Sequence, residues 1–386
     1  MHISVYCQIK DENNILKNWI NHYLNLNFDH IYLIDDQSKT PIKNVINNNE
    51  YLKNKITVIT IDFSSEDFYS CTPTFSNSLL YDENIYKIYN KSKQIYMLNI
   101  FKKMYENQLD WLFICDADEF LYLKNYDTIS EYLSKYLSIN PNIPGIMFQW
   151  LMYGNSYNDY FPNGNIFNNF IMSDINLYHL PKCLTKVQST DAFDIHRCFL
   201  KNDLHYYIPH YNTLNIIESK TLPLDKSYCI HHELVDAYLA HYITLDLNNF
   251  TFKKFKRKLC SQDMMRDKTF ICHLFHNKIV NLKMLKYINN INNDIIKNFC
   301  ELEVLYLDIN KYNLTNKTNF IHIYDMLIHF YDNLTNLFYS PLNKILPDFN
   351  SNVYKDIYPD LQHLTNHEAV VHYFVHGIEE HRKYLI

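Results

Sequence analysis

The stretch from Trp111 to Leu123 constrains this chain more than any other part of its sequence. Its first five residues, Trp111 to Cys115, are apolar and predict a fully buried strand. The strand is followed at once by Asp116-Ala117-Asp118-Glu119. Carboxylates at the end of a buried strand repel one another and are costly to remove from water, so a hard divalent cation with oxygen ligands is the partner that fits best. The simpler alternative is a solvated strand end with capping aspartates.

The first half of the sequence alternates strand patterns with helix patterns. Short apolar runs predict strands, and apolar residues at helical spacing predict helices between them. The predicted strands span residues 3–9, 30–34, 56–61 and 111–115, and the predicted helices span residues 11–26 and 92–107. This alternation predicts an α/β fold with a mostly parallel sheet and helices on both of its faces.

Acidic clusters follow three of the predicted strands. These clusters are Asp11-Glu12, Asp35-Asp36 and Asp116-Ala117-Asp118. The carboxyl ends of parallel strands meet at one edge of the sheet, where open α/β proteins bind their ligands. The sequence therefore predicts a ligand cleft lined by carboxylates at this edge.

Composition argues against several other classes of protein. Only 4 glycines occur in 386 residues, and neither a Rossmann nor a P-loop glycine pattern is present. A formal net charge of −6 does not favour nucleic-acid binding. We find neither a signal-peptide pattern nor an apolar run of the roughly 18–20 residues that a membrane span needs. The 9 cysteines lack CxxC pairing, so we predict a reducing compartment and a cytoplasmic protein.

Five sequence segments form an ordered set over roughly residues 1–260. They are Lys10-Asp11-Glu12 with Trp19-Ile20 and His22-Tyr23; Phe28 to Asp36 with Ser38; Asp110-Trp111 with Asp116 to Leu121; Trp150 to Ser156; and His241-Tyr242 with Phe250 and Lys253. Together these segments resemble the motifs of GT-A fold glycosyltransferases of the family 2 and family 92 kind, often labelled domain of unknown function 23. Asn168 departs from the pattern, because members of the family often carry an acidic residue there.

The resemblance implies a GT-A fold that transfers a sugar from a nucleotide-diphosphate donor, with a UDP-sugar favoured, to a glycan or glycoconjugate acceptor. It implies Mn²⁺ or Mg²⁺ as cofactor, with Asp118 as a direct ligand. Asp116 would contact the metal through water or bind the donor ribose, and His241, or alternatively His196, would be a further ligand. The residues that it assigns to the donor nucleotide and its diphosphate are Glu12, Asp35, Asp36, Asp116, Lys182, Lys186 and Lys253. Glu12 also has a second interpretation, as a cap of the following helix.

Inverting transfer requires a base that deprotonates the acceptor hydroxyl. The candidate carboxylates are Glu119, Asp159, Asp191, Asp194 and Glu233. Asp191 and Asp194 are preferred because they flank the segment before His196. Trp150 is predicted either to stack on a sugar face or to be an ordinary core residue.

The resemblance and the composition divide the chain into three parts. We predict a GT-A domain over residues 1–260, a helical extension over residues 261–348 and a small helical C-terminal module over residues 349–386. Two other functions stay open at this point. One is a Mg²⁺-dependent nucleotidyltransferase or phosphohydrolase that uses Asp116 and Asp118, and the other is a degenerate, non-catalytic sugar-binding protein.

Overall fold

The computed structural model describes residues 1–46, 50–69, 78–156, 158, 165–202, 204–210, 213–217, 224, 229–246, 276–287, 350–363 and 369. Its strands are β1 Ile3–Ile9, β2 His30–Asp35, β3 Ile56–Thr60, β4 Trp111–Ile114, β5 Glu119–Leu123, β6 Gly145–Met152, β7 Met172–Ser173, β8 Pro181–Lys186, β9 Thr190–Ala192, β10 Phe199–Leu200, β11 Tyr206–His210, β12 Thr213–Ile217, β13 Ala237–His241 and β14 Ile279–Val280. Its helices are α1 Asn13–Asn25, α2 Ile42–Ile46, α3 Glu50–Lys55, α4 Ser65–Tyr69, α5 Glu83–Tyr89, α6 Lys93–Tyr105, α7 Ile129–Ile139, α8 Ile166–Asn169 and α9 Ser351–Ile357. Short 3-10 turns span Ser78–Leu80, Glu106–Gln108, Val187–Ser189, His232–Leu234, Lys283–Tyr287 and Pro359–Leu361.

The chain forms two compact units. The first unit comprises Met1–Met152, Ile175–His241 and Lys286–Leu302, and the second comprises Tyr153–Asp174, Tyr242–Leu285 and Glu303–Ile386. The predicted domain boundaries at residues 260 and 348, and most of the predicted helical C-terminal region, lie outside the described residues. Within the described part of the chain, no helix is both long enough and apolar enough to cross a bilayer.

A ten-stranded sheet organises the first unit. Its main order is β12-β11-β6-β8-β4-β1-β2-β3, and β13 pairs with both β5 and β6. The pairs β1-β2, β2-β3, β1-β4, β6-β11 and β6-β13 are parallel. The pairs β4-β8, β6-β8, β11-β12 and β5-β13 are antiparallel. The predicted α/β class with a mostly parallel sheet is confirmed.

Helices cover both faces of the central strands. On one face, α1 buries Trp19 and Tyr23, and the Tyr23 ring packs against Phe113 of β4 with centroids 6.1 Å apart. On the other face, Phe101 of α6 packs against Tyr6 of β1 at 4.9 Å. Alternate residues of a strand point to opposite faces, and burial of the whole β4 run is therefore what a two-sided cover requires.

The strand order creates a switch point between β1 and β4. From β1 the chain builds outward through β2 and β3 on one side, whereas β4 lies on the other side. In open α/β sheets, the crevice outside the carboxyl ends of two such strands is where ligands bind. The topology alone therefore directs attention to the ends of β1 and β4.

The second unit contains a tight polar junction around Gly154. The Oδ1 atom of Asn277 accepts a hydrogen bond from the N–H of Ser156 at 2.9 Å, and its Nδ2 donates to Oδ1 of Asn155 at 2.7 Å. A Cβ atom on Gly154 would lie 2.9 Å from the backbone nitrogen of Asn277 and closer still to its side chain. The glycine is therefore what allows Asn277 to reach this turn.

Candidate functional site

The carboxyl ends of β2, β1 and β4 lie side by side at one edge of the sheet. Gln8 of β1 pairs with Ile34 of β2, and Tyr6 pairs with Ile114 of β4. Asp36 directly follows β2 and Cys115-Asp116 directly follows β4, so the acidic clusters of these strands share one edge, as the sequence predicts.

Asp116 is held by four other residues through all four of its polar atoms. Its N–H donates to Oε2 of Glu119 at 2.8 Å, and its C=O accepts from the indole nitrogen of Trp19 at 3.1 Å. Its Oδ1 accepts from the Gln94 amide at 3.3 Å, and its Oδ2 accepts from Nζ of Lys182 at 2.8 Å. The side chain retains 36% exposure, but its carboxylate is committed to protein donors.

Lys182 lies on β8, which runs antiparallel to β4. Its ammonium is 0% exposed and lies 2.8 Å from Asp116 Oδ2 and 3.6 Å from Glu119 Oε2. Lys186, at the other end of β8, pairs with Trp111 at the start of β4 and is exposed. Three residues of the extended strand β8 lie between them. The structure therefore brings Lys182 to the acidic edge and places Lys186 at the opposite edge, so Lys186 is not part of this site.

The three charged groups influence one another's protonation. Burial raises the pKa of Asp116, but the Lys182 ammonium beside it outweighs that effect and the net pKa lies below its ordinary value. Burial acts to lower the pKa of Lys182, and the carboxylates of Asp116 and Glu119 raise it overall. The pKa of Glu119 lies well above its ordinary value, because burial dominates the opposing effect of Lys182. Glu119 is thus an interior group, and its Oε1 has no hydrogen-bond partner among the described residues.

Asp118 lies beside His241. His241 ends β13 and pairs with Glu119 of β5 and Met152 of β6. Its Nε2 lies 3.6 Å from Oδ1 of Asp118, which is longer than an ordinary hydrogen bond. The two groups therefore present one carboxylate oxygen and one imidazole nitrogen side by side.

The Asp118 carboxylate and the His241 imidazole offer two possible ligand atoms to a divalent cation. Distances of about 2.0–2.2 Å from ligand to ion imply about 3–3.6 Å between two neighbouring ligand atoms, which agrees with the Asp118–His241 separation. Carboxylate oxygen and imidazole nitrogen both suit Mn²⁺. Over the described ranges, no three His, Cys, Asp or Glu side chains form a group that could hold an ion.

Trp150 connects the two predicted histidines. Its ring centroid lies 4.5 Å from that of His241 and 5.4 Å from that of His196, and it stacks over Tyr178. The side chain is 7% exposed, and its indole N–H has no hydrogen-bond partner within the described residues. Of the two predictions made for Trp150, the buried packing position is the one that the structure shows.

His196 and Asp194 lie in the segment that follows β9. The N–H of His196 donates to Oδ1 of Asp194 at 3.2 Å. Burial lowers the pKa of His196, and the charge of Lys182 acts in the same direction, so His196 lies within electrostatic range of the Asp116 cluster. Asp191 lies on β9 and is exposed. The other candidate bases are elsewhere: Glu233 contacts Lys124 beyond the far end of β5 at 3.5 Å, and Asp159 lies outside the described residues.

The segment with Asp194 is attached to α6 through Asn99. The side chain of Asn99 donates to the Phe193 carbonyl at 2.9 Å and accepts from the Phe193 N–H at 3.0 Å. The Asn99 amide thus bonds to both backbone groups of Phe193, as the backbone of a neighbouring β-strand would. This single side chain therefore fixes the path of the backbone next to Asp194.

The end of β2 shows two different aspartates. Asp35 is 1% exposed, and its two carboxylate oxygens accept from the N–H groups of Ser38 and Ile42, each at 2.9 Å. Asp36 instead forms an ion pair with Lys93. Asp35 therefore shapes the loop before α2, and Asp36 is the member of the pair whose charge lies at the edge of the sheet.

Glu12 lies at the start of α1, at the end of the β1 loop. Its carbonyl accepts from Ile15 and Leu16, at 3.1 Å each, but its side chain makes no capping hydrogen bond. Glu12 is nevertheless the N-cap residue of α1, so the position that the helix-cap interpretation gives it is the one observed, without a side-chain hydrogen bond. Lys253, the last predicted donor contact, lies outside the described residues.

Lys93 and Gln94, which contact Asp36 and Asp116 respectively, were not predicted from the sequence to lie at this edge. Lys93 and Gln94 open α6, after Ser92 caps it through the Ile95 N–H at 3.3 Å. Lys93 also donates to the Phe63 carbonyl at 3.1 Å, and burial lowers its pKa despite the charge of Asp36. A helix that starts with two long polar residues after an N-cap serine was the signal that could have revealed them.

Comparisons with known proteins give weak structural likenesses. No family model and no curated protein matches this chain. An active-site mutant of LgtC is similar with a TM-score of 0.28 and 10% identity, over 74% of this chain and 99% of that one. A Bacillus anthracis protein described as a glucose-1-phosphate thymidylyltransferase has a TM-score of 0.25 and 8% identity, over 49% and 72%. UDP-glucose pyrophosphorylase with UDP-glucose has a TM-score of 0.23 and 6% identity, over 52% and 74%. At these values the likenesses identify no function for this chain.

Proposed function

We propose that this protein is a metal-dependent, inverting glycosyltransferase that uses a nucleotide-diphosphate sugar, with a UDP-sugar as the favoured donor. The observation that supports it most is the Asp118–His241 pair, 3.6 Å apart, beside the switch point of an α/β sheet. The resemblance of the sequence to GT-A glycosyltransferases supports the same assignment. The acceptor in this proposal is a glycan or glycoconjugate hydroxyl.

The distribution of charge at the edge supports a need for an added cation. The two buried lysines there are already paired, Lys93 with Asp36 and Lys182 with Asp116. A donor diphosphate brings further negative charge next to the Asp118 carboxylate. A bound Mn²⁺ or Mg²⁺ would neutralise the diphosphate and stabilise it as a leaving group.

In this proposal each described residue has one task. Asp118 and His241 hold the ion, while Glu12 and Asp36 contact the nucleoside at the ends of β1 and β2. Asp194 takes the proton of the acceptor hydroxyl, because it is the candidate carboxylate next to His196 and the Asp116 cluster. Glu119 is too deeply buried to meet an acceptor and supports Asp116 instead.

A thermal-shift experiment tests the donor and the metal together. UDP and UDP-sugars with Mn²⁺ should raise the melting temperature of the full chain, because a ligand at about 100 times its Kd stabilises the folded state by about 2.7 kcal/mol. Asp118→Asn should abolish the Mn²⁺-dependent part of the shift. The matched control is Asp127→Asn, an exposed aspartate beyond the other end of β5, which should behave as wild type. An unchanged shift in folded Asp118→Asn would contradict the metal assignment.

A product assay separates transfer from the alternative chemistries. A glycosyltransferase incubated with its donor, Mn²⁺ and an acceptor transfers the sugar to the acceptor hydroxyl and releases the nucleoside diphosphate. A nucleotidyltransferase given the same donor with pyrophosphate forms the nucleoside triphosphate. Triphosphate formation would replace the proposal by the nucleotidyltransferase alternative, and binding without any turnover across acceptors would replace it by the sugar-binding alternative.

A further inference from the structure

The strand β3 forms one end of the ten-stranded sheet. It pairs with β2 in parallel, and no strand of the described residues pairs with it on its other side. The N–H of Ile61, just past β3, donates to the Asp35 carbonyl of β2 at 2.9 Å. Because the direction of hydrogen bonding alternates along a strand, the odd-numbered residues of β3 bond toward β2, whereas the backbone groups of Ile56, Val58 and Thr60 point away from the sheet. These groups can pair with a further strand.

The side chains of β3 lack the features that protect an edge strand. The sequence of β3 is Ile-Thr-Val-Ile-Thr, so every residue is β-branched and none is charged or a proline. Edge strands of natural proteins commonly carry a lysine, a proline or a bulge that prevents pairing with another chain. An uncharged, β-branched strand at the end of a sheet instead favours such pairing.

Exposed apolar side chains are concentrated in the elements that flank β3. Of the twelve large apolar residues that are exposed in the described part of the chain, five lie between residues 50 and 89. They are Tyr51, Tyr69, Leu79, Tyr81 and Ile88. Tyr51 belongs to α3, which leads directly into β3, and Tyr69 ends α4, the next helix after β3. Exposed apolar surface around an open strand is typical of a protein–protein interface.

The charges at the two ends of β3 have opposite signs. Lys55 precedes the strand; it forms no ion pair within the described residues, and its ammonium donates to the Asp29 carbonyl at 3.4 Å. Asp62 follows the strand and is exposed. In an antiparallel pair of identical strands each Lys55 lies near the partner's Asp62, whereas a parallel pair would place like charges beside each other. This charge complementarity favours a second copy of the chain in antiparallel orientation.

We propose that two copies of this chain associate through β3, with the two strands antiparallel and Val58 on the two-fold axis. Only residues whose backbone groups point outward can form the hydrogen-bonded pairs, so Val58 lies opposite the partner's Val58 and Ile56 lies opposite the partner's Thr60. A two-fold contact of this kind is self-complementary and closes at two copies.

The antiparallel arrangement has a consequence for the acidic edge of the sheet. The carboxyl end of β3 lies beside that of β2, because Thr60 pairs with Asp35. Two antiparallel copies of β3 therefore direct their carboxyl edges to opposite sides, and each copy keeps its own edge open to ligands. The association does not depend on the reaction that the protein catalyses.

Sedimentation equilibrium of the full chain tests the association. The mass of wild type should rise with protein concentration toward twice the 46.6 kDa of one chain. Val58→Lys should stay monomeric, because it places two ammonium groups opposite each other on the axis. The matched control is Ile139→Lys, which changes an exposed apolar residue at the end of α7 and should dimerise as wild type does.

A mixture of two charged variants tests the register. Val58→Glu alone should also be monomeric, but an equimolar mixture of Val58→Lys and Val58→Glu should form a heterodimer, since opposite charges then meet on the axis. In wild type, the Val58 and Thr60 amides should be protected from hydrogen exchange at high protein concentration and exchange faster on dilution. If the Val58 variants do not fold, Thr60→Pro removes one outward N–H and should weaken the dimer, whereas Thr60→Ser should not.

Wild-type dimers together with the heterodimer of the two charged variants would establish the contact. A wild type that stays monomeric at every concentration would overturn it, and β3 would then be an edge for a chain of different sequence. Dimers that persist in Val58→Lys, or that form without protection of the Val58 and Thr60 amides, would overturn it as well, because the contact between copies would lie elsewhere.

Discussion

Asp116 and Asp118 stand two positions apart and yet have unlike surroundings. The motif could be recognised in the sequence because a buried strand that ends in carboxylates is unusual. Their different partners could not be predicted, since Gln94, Lys182 and His241 come from three distant segments. A pattern of residue types shows where charge collects, but only the fold decides which carboxylate is neutralised by the protein itself.

The glycine of the Trp150–Ser156 segment leads to a prediction about stability. Gly154→Ala places a Cβ against Asn277, whose backbone nitrogen would be 2.9 Å away, and should destabilise the protein by about 1–3 kcal/mol. Urea unfolding measures this cost. In a cycle with Asn277→Ala the two costs should not add, because the alanine removes part of the clash. Strict additivity would show that Asn277 does not cause the strain.

Strand direction explains why the structure separates two lysines to which the sequence analysis gave the same role. The apolar pattern of a strand does not reveal which way it runs, so Lys182 and Lys186 were both assigned to the diphosphate. In the structure β8 is antiparallel to β4, which takes Lys186 to the opposite edge and buries Lys182 against Asp116. Strand positions are local properties of a sequence, whereas direction and register depend on distant partners.

The link between α6 and the segment after β9 leads to a second prediction. Asn99→Leu leaves the N–H and C=O of Phe193 without their partner, and each buried unsatisfied group costs about 1–3 kcal/mol. Hydrogen exchange of residues 190–198 should become faster in the variant, and transfer should fall more than donor binding. The exposed Asn107→Leu serves as control. Equal exchange in both variants would mean that Asn99 does not hold this segment.

The α/β class was predictable because alternating strand and helix patterns persist over the first half of the chain. The antiparallel members of the sheet were not, because β5, β8 and β13 are placed by pairings with strands that are distant in the sequence. The order of the central strands then fixes the ligand edge, and the acidic ends of β2 and β4 agree with it. The sequence thus placed the acidic residues at the strand ends that share this edge, whereas it did not reveal that Lys93 and Gln94 at the start of α6 reach the same edge.

Acid sensitivity of the whole fold gives a third prediction. His22 of α1 is buried, its Nε2 lies 2.9 Å from the Leu121 carbonyl, and burial lowers its pKa to about 3, with the charge of Lys286 acting in the same direction. In the unfolded chain the His22 imidazole becomes protonated below about pH 6.5, whereas in the folded chain it stays neutral down to about pH 3. His22 should therefore lower the free energy of unfolding by about 1.4 kcal/mol for each unit by which the pH falls from about 6.5 to about 3.

Urea unfolding of His22→Gln at pH 7, 6 and 5 tests this contribution. Glutamine can keep a hydrogen bond to the Leu121 carbonyl but does not titrate. The free energy of unfolding of the variant should therefore change with pH by about 1.4 kcal/mol per pH unit less than that of wild type, which corresponds to one proton. His363→Gln changes an exposed histidine and is the control. Identical slopes for wild type and His22→Gln would contradict the burial argument.

The helix α6 sets the distance between the residues of the acidic edge and the segment that carries Asp194, the proposed catalytic base. Lys93 and Gln94 in its first turn contact Asp36 and Asp116, and Asn99 holds the backbone next to Asp194. At about 1.5 Å per residue, the spacing from Gln94 to Asn99 is set by helix pitch. Under the proposed function, substitutions after β9 would change the acceptor contacts while the donor contacts keep their places, and acceptor choice would then be the more freely evolvable property of such a chain.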